Sequence, residues 1–167
     1  MTTHPTHTLQ VLHHAGRLGP MVLARHGDAL CGVWFAGQRH FPRDPHWQEL
    51  AHDPLLEQAA QQIDSYLAGT RTQFTLPLSL HLGTAFQQSV WQALLGIACG
   101  QTLSYAALAQ RLGKPRAVRA VAAAVGRNPL SLVVPCHRVL GSDGSLTGYA
   151  GGLERKAALL QLERPHD

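Results

Sequence analysis

The sequence predicts an α/β fold of the α+β kind, in which a β-sheet with one helix precedes a mostly helical domain. Three stretches rich in β-forming residues open the chain: "TLQVLHH", "MVLARH" and "LCGVWF". From Thr84 onward, apolar residues recur at helical spacing instead. With 167 residues, 45% of them hydrophobic, the chain can form one good core or two small ones. We expect two domains, residues 1–80 and 81–167, with the boundary near residues 76–83.

The first domain is expected to contain a hairpin and a single helix. The tripeptide "GDA" joins the second and third strands and is a hairpin signal, and "AGQRHFPRDPHW" then predicts a polar, proline-containing loop. A helix follows, because Asp53 suits its N-cap, Pro54 its first position and Gly69 its C-terminal end. Its apolar face repeats at helical spacing and consists of Leu56, Ala60, Ile63 and Leu67. The segment "TQFTLPLSL" is expected to be extended.

The second domain is expected to contain a helix-turn-helix. Ser104 caps a short helix, Tyr105–Leu112, and Gly113 closes it. Pro115 opens a second helix, roughly Arg116–Val125, after a turn of about three residues. Two helices joined by a short turn with glycine are the pattern of this motif.

Two further elements flank the helix-turn-helix. Before it, Thr84 caps a helix whose apolar face consists of Phe86, Val90 and Leu94. After it, "LSLVV" predicts a short buried strand. Pro135 ends that strand because proline has no amide donor.

Charge is distributed unevenly along the chain. The net charge is +4, and residues 65–142 contain no Asp or Glu. Their seven basic residues are Arg71, Arg111, Lys114, Arg116, Arg119, Arg127 and Arg138. Such a stretch indicates a surface for a polyanion, and we favour nucleic acid. The alternative is a chance gap in a protein with only 14% charged residues.

The second helix of the motif has a face that suits nucleic acid. Its packing face consists of Val118, Val121 and Val125. Its basic face consists of Arg116, Arg119 and Ala123, with Ala120, Ala122 and Gly126 beside it. Small residues with protruding arginines can approach a groove closely, which favours DNA contact. An alanine-rich core helix is the alternative.

The stretch "VVPCHRVL" contains the candidate nucleophile, Cys136, directly followed by His137. An imidazole can accept the thiol proton, but in a continuing strand the two side chains would point to opposite faces, so a water could bridge them. The imidazole needs an orienting partner, and Glu163 is the better candidate because it shares a helix face with Lys156 and Leu160. The alternative for Cys136 is a buried structural thiol, and the alternative for Glu163 is a position at a solvated helix end.

The chain resembles the O6-alkylguanine-DNA alkyltransferases, also called methylated-DNA–protein-cysteine methyltransferases. "PCHRV" is similar to the active-site motif of that family, and "RNP" before it and "GYAGG" after it also fit. The likeness runs from Phe86 to Glu163 in order and without an evident gap. The resemblance implies a winged-helix-like second domain. The first domain resembles the family's ribonuclease-H-like domain in layout only.

The resemblance also implies the chemistry of the site. Cys136 would accept the alkyl group of O6-alkylguanine permanently, so that each protein acts once. His137 would activate Cys136 through a bound water, with Glu163 orienting the imidazole. Tyr105 would help to rotate the damaged nucleotide out of the duplex and assist proton delivery to the leaving guanine. Repair of O4-alkylthymine, the range of alkyl groups and cooperative binding along DNA stay open.

Further residues receive DNA-binding and pocket roles from the same resemblance. Arg119 would fill the space that the flipped base leaves, and Asn128 would hold the turn before the active-site strand. The expected DNA-binding residues are Arg119, Arg116, Ala120, Ala123 and Arg127. The expected pocket residues are Asn128, Val139, Ser142, Tyr149, Gly151, Gly152 and Lys156. The expected partner is double-stranded DNA, bound by a monomer.

Composition excludes several other kinds of protein. No run of 18 apolar residues and no signal peptide are present, and three widely spaced cysteines favour a reducing, cytoplasmic location. We expect no cofactor and no structural zinc. His26 and Cys31 fall loosely near the zinc ligands of some family members, but four ligands cannot be assembled. His4, His7, His13 and His14 would at most be incidental metal binders.

Two other functions stay open at this point. A transcriptional regulator could use the helix-turn-helix, although no dimerisation segment is evident. A cysteine hydrolase could use Cys136 and His137 with repeated turnover.

Overall fold

The computed structural model describes residues 8–42 and 46–165, and its first half is a four-stranded sheet with one helix. The strands are β1 (Leu9–Gly16), β2 (Gly19–His26), β3 (Ala29–Phe35) and β4 (Trp47–Glu49). Their order in the sheet is β3-β2-β1-β4, in which β1, β2 and β3 pair antiparallel and β4 pairs parallel with β1. The α+β class and the three predicted strands are therefore confirmed.

Strand β4 lies where the sequence predicted the end of a loop. Trp47 pairs with Leu9, and Glu49 pairs with Val11. A three-residue strand is too short for a period-two pattern to be recognised. It is stabilised by the neighbouring β1 and by the stacking of Trp47 on Trp34, whose ring centroids are 5.9 Å apart.

Helix α1 (Pro54–Leu67) packs against the sheet as predicted. The Asp53 carboxylate accepts from the Leu56 N–H at 2.9 Å, and Pro54 occupies the first turn. Leu56, Ile63 and the other predicted apolar positions are buried. Gly69 follows the C-cap with a φ of 81°, which glycine adopts without strain.

The second half contains four helices and one short parallel strand pair within the described residues. The helices are α2 (Ala85–Leu94), α3 (Tyr105–Arg111), α4 (Val118–Gly126) and α5 (Leu153–Glu163). The strand pair is β5 (Leu103–Ser104) with β6 (Val139–Leu140). The predicted caps are confirmed, because Thr84 forms a capping box with Gln87 and the Ser104 hydroxyl accepts from the Ala107 N–H.

The helix-turn-helix is present, but its turn is longer than predicted. Gly113 has a φ of 70°, and the Lys114 N–H bonds back to the Ala109 carbonyl at 2.9 Å, as in a Schellman cap. Helix α4 begins at Val118, so Arg116 lies in the turn before the helix and not on it. Proline at 115 therefore opens this turn rather than the helix.

The predicted strand "LSLVV" is wrong. Residues 130–134 form a buried turn in which the Val134 N–H bonds to the Leu130 carbonyl and Leu132 has a φ of 72°. A short apolar run does not distinguish a buried strand from a buried turn by its pattern. Cys136 consequently begins a short 3₁₀ turn, Cys136–Arg138, and does not end a strand.

One hydrophobic core joins the two halves. It includes Phe35 of the sheet, Ile63 of α1, Trp91 of α2 and Val121 of α4. Main-chain bonds cross between the halves as well, because Val33 donates to the Pro129 carbonyl and accepts from Ser131. The sheet thus holds the segment that leads to Cys136. No helix among the described residues has the length and apolar character needed to cross a membrane.

Gly113→Ala tests the cap that ends the first helix of the motif. A φ of 70° forces the new Cβ into a left-handed conformation, so we expect a loss of about 1 kcal/mol in the free energy of unfolding, measured by urea titration. Gly126→Ala is the control, because Gly126 is helical with open space at its Cβ position. It should be neutral or stabilising, and equal losses in both variants would contradict the role of the cap.

Candidate active site

Cys136 is held by the turn before it. The Asn128 side chain donates to the Val134 carbonyl at 2.8 Å and accepts from the Leu130 N–H at 3.0 Å. Asn128 is itself buried and fixes this turn, in line with the expectation for it. Cys136 is 5% exposed. Burial raises the pKa of its thiol, whereas Asn128 and the Lys156 ammonium act in the opposite direction.

His137 is buried and bonded to Glu163. Its Nε2 lies 2.9 Å from Glu163 Oε2. A carboxylate only accepts hydrogen bonds, so Nε2 carries the proton and Nδ1 has a free lone pair in the neutral ring. Nδ1 is buried and has no hydrogen-bond partner among the described residues. Burial lowers the pKa of His137, although Glu163 opposes this shift, and the ring is therefore a neutral base near pH 7.

The Glu163 carboxylate is the centre of a buried network. Arg138 donates from Nε to Oε1 and from Nη2 to Oε2, both at 2.8 Å, and Tyr66 donates its hydroxyl to Oε2. Burial alone would raise the pKa of Glu163, but the hydrogen bonds from Arg138, His137 and Tyr66 outweigh it and hold that pKa well below its usual range. The carboxylate is therefore ionised and can orient His137.

Tyr66 and Arg138 were missed by the sequence analysis. Tyr66 lies three residues after Ile63 on the buried face of α1, where a tyrosine hydroxyl needs a polar partner. That position was a signal, although it could not identify the partner. Arg138 was counted with the polyanion surface, but it is buried and its Nη1 bonds to the Ile97 carbonyl at 2.6 Å.

Lys156 lies inside the protein and binds the glycine-rich loop, which consists of residues 141–152. Its Nζ donates to the Val139 and Thr147 carbonyls at 2.7 and 2.9 Å and lies 3.3 Å from the Gly148 carbonyl. Burial lowers the pKa of Lys156 to about 8, against an upward influence of Cys136. The Val139 carbonyl, a predicted pocket group, is thus already engaged by this lysine.

The aromatic residues of the expected pocket lie beside Cys136. Tyr105 donates its hydroxyl to the Thr147 carbonyl at 3.1 Å. Burial raises the pKa of Tyr105 and of Tyr149, and the nearby Cys136 acts in the same direction, so both phenols keep their protons. The Tyr149 hydroxyl is buried without a partner among the described residues.

Gly151 and Gly152 are required as glycines for different structural reasons. A Cβ on Gly151 would lie 2.8 Å from the Tyr149 ring and 2.9 Å from the Phe35 ring, so only glycine permits this packing. Gly152 has a φ of 92° directly before α5. Ser142, by contrast, is exposed on the loop after β6.

The candidate DNA-binding residues are exposed to solvent on and around α4. Val121 and Val125 of α4 are buried, which confirms the packing face, and Val118 is partly buried. The Trp91 ring N–H donates to the Ala124 carbonyl at 2.8 Å and anchors the helix. Exposed positions in this region are Arg116, Arg119, Ala120, Ala123 and Arg127. Helix α4 therefore presents small residues and Arg119 outward, with Arg116 and Arg127 exposed at its two ends.

No metal site is evident among residues 8–42 and 46–165, where no cluster of three His, Cys, Asp or Glu side chains is present. Cys31 is fully buried, and burial raises its thiol pKa to about 12. The His26 ring packs against His81, with centroids 4.4 Å apart. His4 and His7 lie outside the described residues.

Comparison with known families matches both halves of the chain. The profile of the family described as "6-O-methylguanine DNA methyltransferase, DNA binding domain" matches residues 85–165. The one described as "6-O-methylguanine DNA methyltransferase, ribonuclease-like domain" matches residues 16–80.

Individual relatives agree with these matches. The chain is 54% identical over 147 residues to the inducible methylated-DNA–protein-cysteine methyltransferase of Bacillus subtilis, covering 82% of each protein. It is 46% identical over 147 residues to the Mycobacterium leprae protein of the same name without "inducible", covering 88% and 87%. The crystal structure of Mycobacterium tuberculosis OGT in complex with DNA superposes with a TM-score of 0.84 and 44% identity, covering 93% and 92%.

Glu163→Gln tests the buried carboxylate. The folded-state pKa of Glu163 is depressed, so its stabilisation is present above about pH 4 and is lost as pH falls. Near pH 7 we expect the variant to lose about 3 kcal/mol of unfolding free energy, because Arg138 stays buried without its anion. Urea titrations between pH 7 and pH 3 should show this difference shrinking. Exposed Glu154, on the same helix, provides the control Glu154→Gln, and a pH-independent difference for Glu163→Gln would contradict the depressed pKa.

Proposed function

As a member of the 6-O-methylguanine DNA methyltransferase family, the chain repairs DNA by alkyl transfer to a cysteine, and we propose that this cysteine is Cys136. The observation that supports the proposal best is the neutral His137, directly after Cys136, whose protonated nitrogen is bonded to a buried, ionised Glu163. This arrangement leaves Nδ1 available as a base beside a thiol that burial would otherwise keep protonated.

The proposed reaction begins with the Cys136 thiol proton, which passes through a water to Nδ1 of His137. The sulfur attacks the alkyl carbon on guanine O6 in line. A carbon–sulfur bond forms as the carbon–O6 bond breaks, and the electron pair leaves with the guanine. Tyr105 delivers a proton to this anion, and the proton that His137 took from the thiol then restores the Tyr105 hydroxyl. Overall, the thiol proton replaces the alkyl group on guanine.

The product on the protein is a thioether, which no group in this site can cleave. Each molecule therefore reacts once. Asn128 and Lys156 support the step by opposing the effect of burial on the Cys136 thiol pKa. Tyr149 and Gly151 form the wall of the base pocket in this proposal, because Gly151 packs directly against the Tyr149 ring and the Tyr149 hydroxyl is close enough to Cys136 to be influenced by it. The reaction uses no metal and no cofactor.

DNA would bind along α4 and the turn before it. The O6 atom of a paired guanine is inside the duplex, so the base has to be extruded at a cost of a few kcal/mol. Arg119 is exposed on a face of small residues and would occupy the space that the base leaves, which offsets part of this cost. Arg116 and Arg127 would contact phosphates, and binding would weaken as salt rises. In this proposal residues 81–167 bind DNA as a monomer, and residues 1–80 form the supporting domain.

Mass spectrometry after mixing the protein with duplex DNA that contains O6-methylguanine tests the acceptor. We expect a gain of about 14 Da on the peptide with Cys136, in a stoichiometry that saturates at one per protein. The peptides with Cys31 and Cys99 serve as internal controls and should stay unmodified. Absence of an adduct between pH 6 and 9 would refute the proposal. Repeated turnover on an ester or peptide would favour a hydrolase.

Arg119→Ala tests base extrusion. Repair of O6-methylguanine in duplex DNA should slow roughly tenfold or more, because the energy that offsets unstacking is lost. Reaction with free O6-benzylguanine needs no extrusion and should change by no more than about twofold. Arg111→Ala, on exposed Arg111 at the end of α3, is the matched control for the loss of one surface cation: it should leave the rate with free O6-benzylguanine unchanged and slow duplex repair much less than Arg119→Ala does. Equal losses in the two assays for Arg119→Ala would reject its role.

A further inference from the structure

Tyr66 connects the first domain to the reacting groups. It lies on α1, is 1% exposed, and donates its hydroxyl to Glu163 Oε2 at 2.5 Å. The same hydroxyl oxygen is 3.4 Å from His137 Nε2. We propose, on the basis of the function proposed above, that Tyr66 is a positioning residue that keeps His137 a neutral base by sharing the charge of Glu163.

Four donor groups from three residues surround the Glu163 carboxylate. A carboxylate has about four acceptor sites, two on each oxygen. Glu163 receives four hydrogen bonds: two from Arg138, one from His137 and one from Tyr66. Oε1 accepts one of these bonds and Oε2 accepts three, so that Oε2 is fully occupied. Three of the four donors converge on Oε2, where Tyr66 and Arg138 draw negative charge away from the bond to His137.

Removal of the Tyr66 hydroxyl should change the pKa of His137 in a predictable direction. With one donor fewer, more negative charge at Oε2 faces the imidazole and stabilises its protonated form. The pKa of His137 should then rise, and the ring should lose its capacity as a base at a higher pH. Other ionisable groups around the pair are Arg138, Lys156 of α5, Cys136, and Cys99 in the turn after α2. They are unchanged by this substitution.

The position of Tyr66 is fixed by packing. Its ring is in the common core and contacts Phe74, with ring centroids 5.3 Å apart. The hydroxyl therefore cannot swing away from Glu163 without disturbing the core. The Tyr66–Glu163 hydrogen bond gives the first domain a part in the chemistry, in addition to its support of the second domain.

The test is the pH profile of single-turnover alkyl transfer from free O6-benzylguanine, a substrate that needs no base extrusion. For Tyr66→Phe we expect the acid limb to move upward by about 0.5–1 pH unit, with a smaller change in the plateau rate. Site-specific replacement of Tyr66 by 3-fluorotyrosine strengthens the donor and preserves the fold. It should move the acid limb to lower pH.

Gln62→Met is the matched control. Gln62 is buried on the same helix, but its side chain bonds to Thr75 and not to Glu163. Its substitution should reduce stability without moving the acid limb. In a Glu163→Gln background, Tyr66→Phe should cause no further shift, because the path through the carboxylate is already lost.

Two results would overturn the inference: an acid limb at the wild-type position in both Tyr66 proteins, or equal loss of rate at every pH. Wild-type protein that fails to alkylate Cys136 would instead refute the proposed function. The two failures are therefore distinguishable.

Discussion

The buried carboxylate of Glu163 is the constraint on which the site depends. A carboxylate inside a protein costs several kcal/mol unless donors surround it. Here those donors come from α1, through Tyr66, and from the 3₁₀ turn Cys136–Arg138, through His137 and Arg138, while α5 holds the carboxylate itself. The favourable arrangement exists only when all three segments are in place. The orientation of His137 is therefore a property of the whole fold, and folding and the proposed reaction depend on the same contacts.

Helix α5 also carries a second buried ionisable residue, Lys156, which influences the Cys136 thiol. Lys156 and Glu163 are seven residues apart, which is two helical turns or about 10 Å along the axis. The lysine organises the main chain of β6 and of the glycine-rich loop through carbonyl oxygens, whereas the glutamate organises side-chain donors. Helix α5 thus sets the distance between Lys156, which holds the loop, and Glu163, which orients His137.

The charge pattern has two physical meanings in this fold. Most of the cations in the carboxylate-free stretch are exposed, and those near α4 present a surface that suits phosphate groups. Arg138 belongs to the same stretch of sequence but is buried, and its counter-ion is Glu163, which lies outside the stretch at the end of α5. The surface near α4 can therefore stay free of carboxylates. The buried ion pair of the site is still complete, because its carboxylate, Glu163, comes from the last turn of α5.

Local interactions allowed much of this protein to be predicted from its sequence. The three long strands, the capped helices and the Cys136–His137–Glu163 set depend on periodicity, capping chemistry and a motif, which are visible within a few residues or as a familiar order. Strand β4, the buried turn in place of a strand, and the roles of Tyr66 and Arg138 could not be predicted. Tyr66 meets Glu163 across 97 positions of sequence. Only the packing of the two halves of the chain determines which buried hydroxyl meets which carboxylate, because desolvation energy depends on surroundings that a linear pattern does not contain.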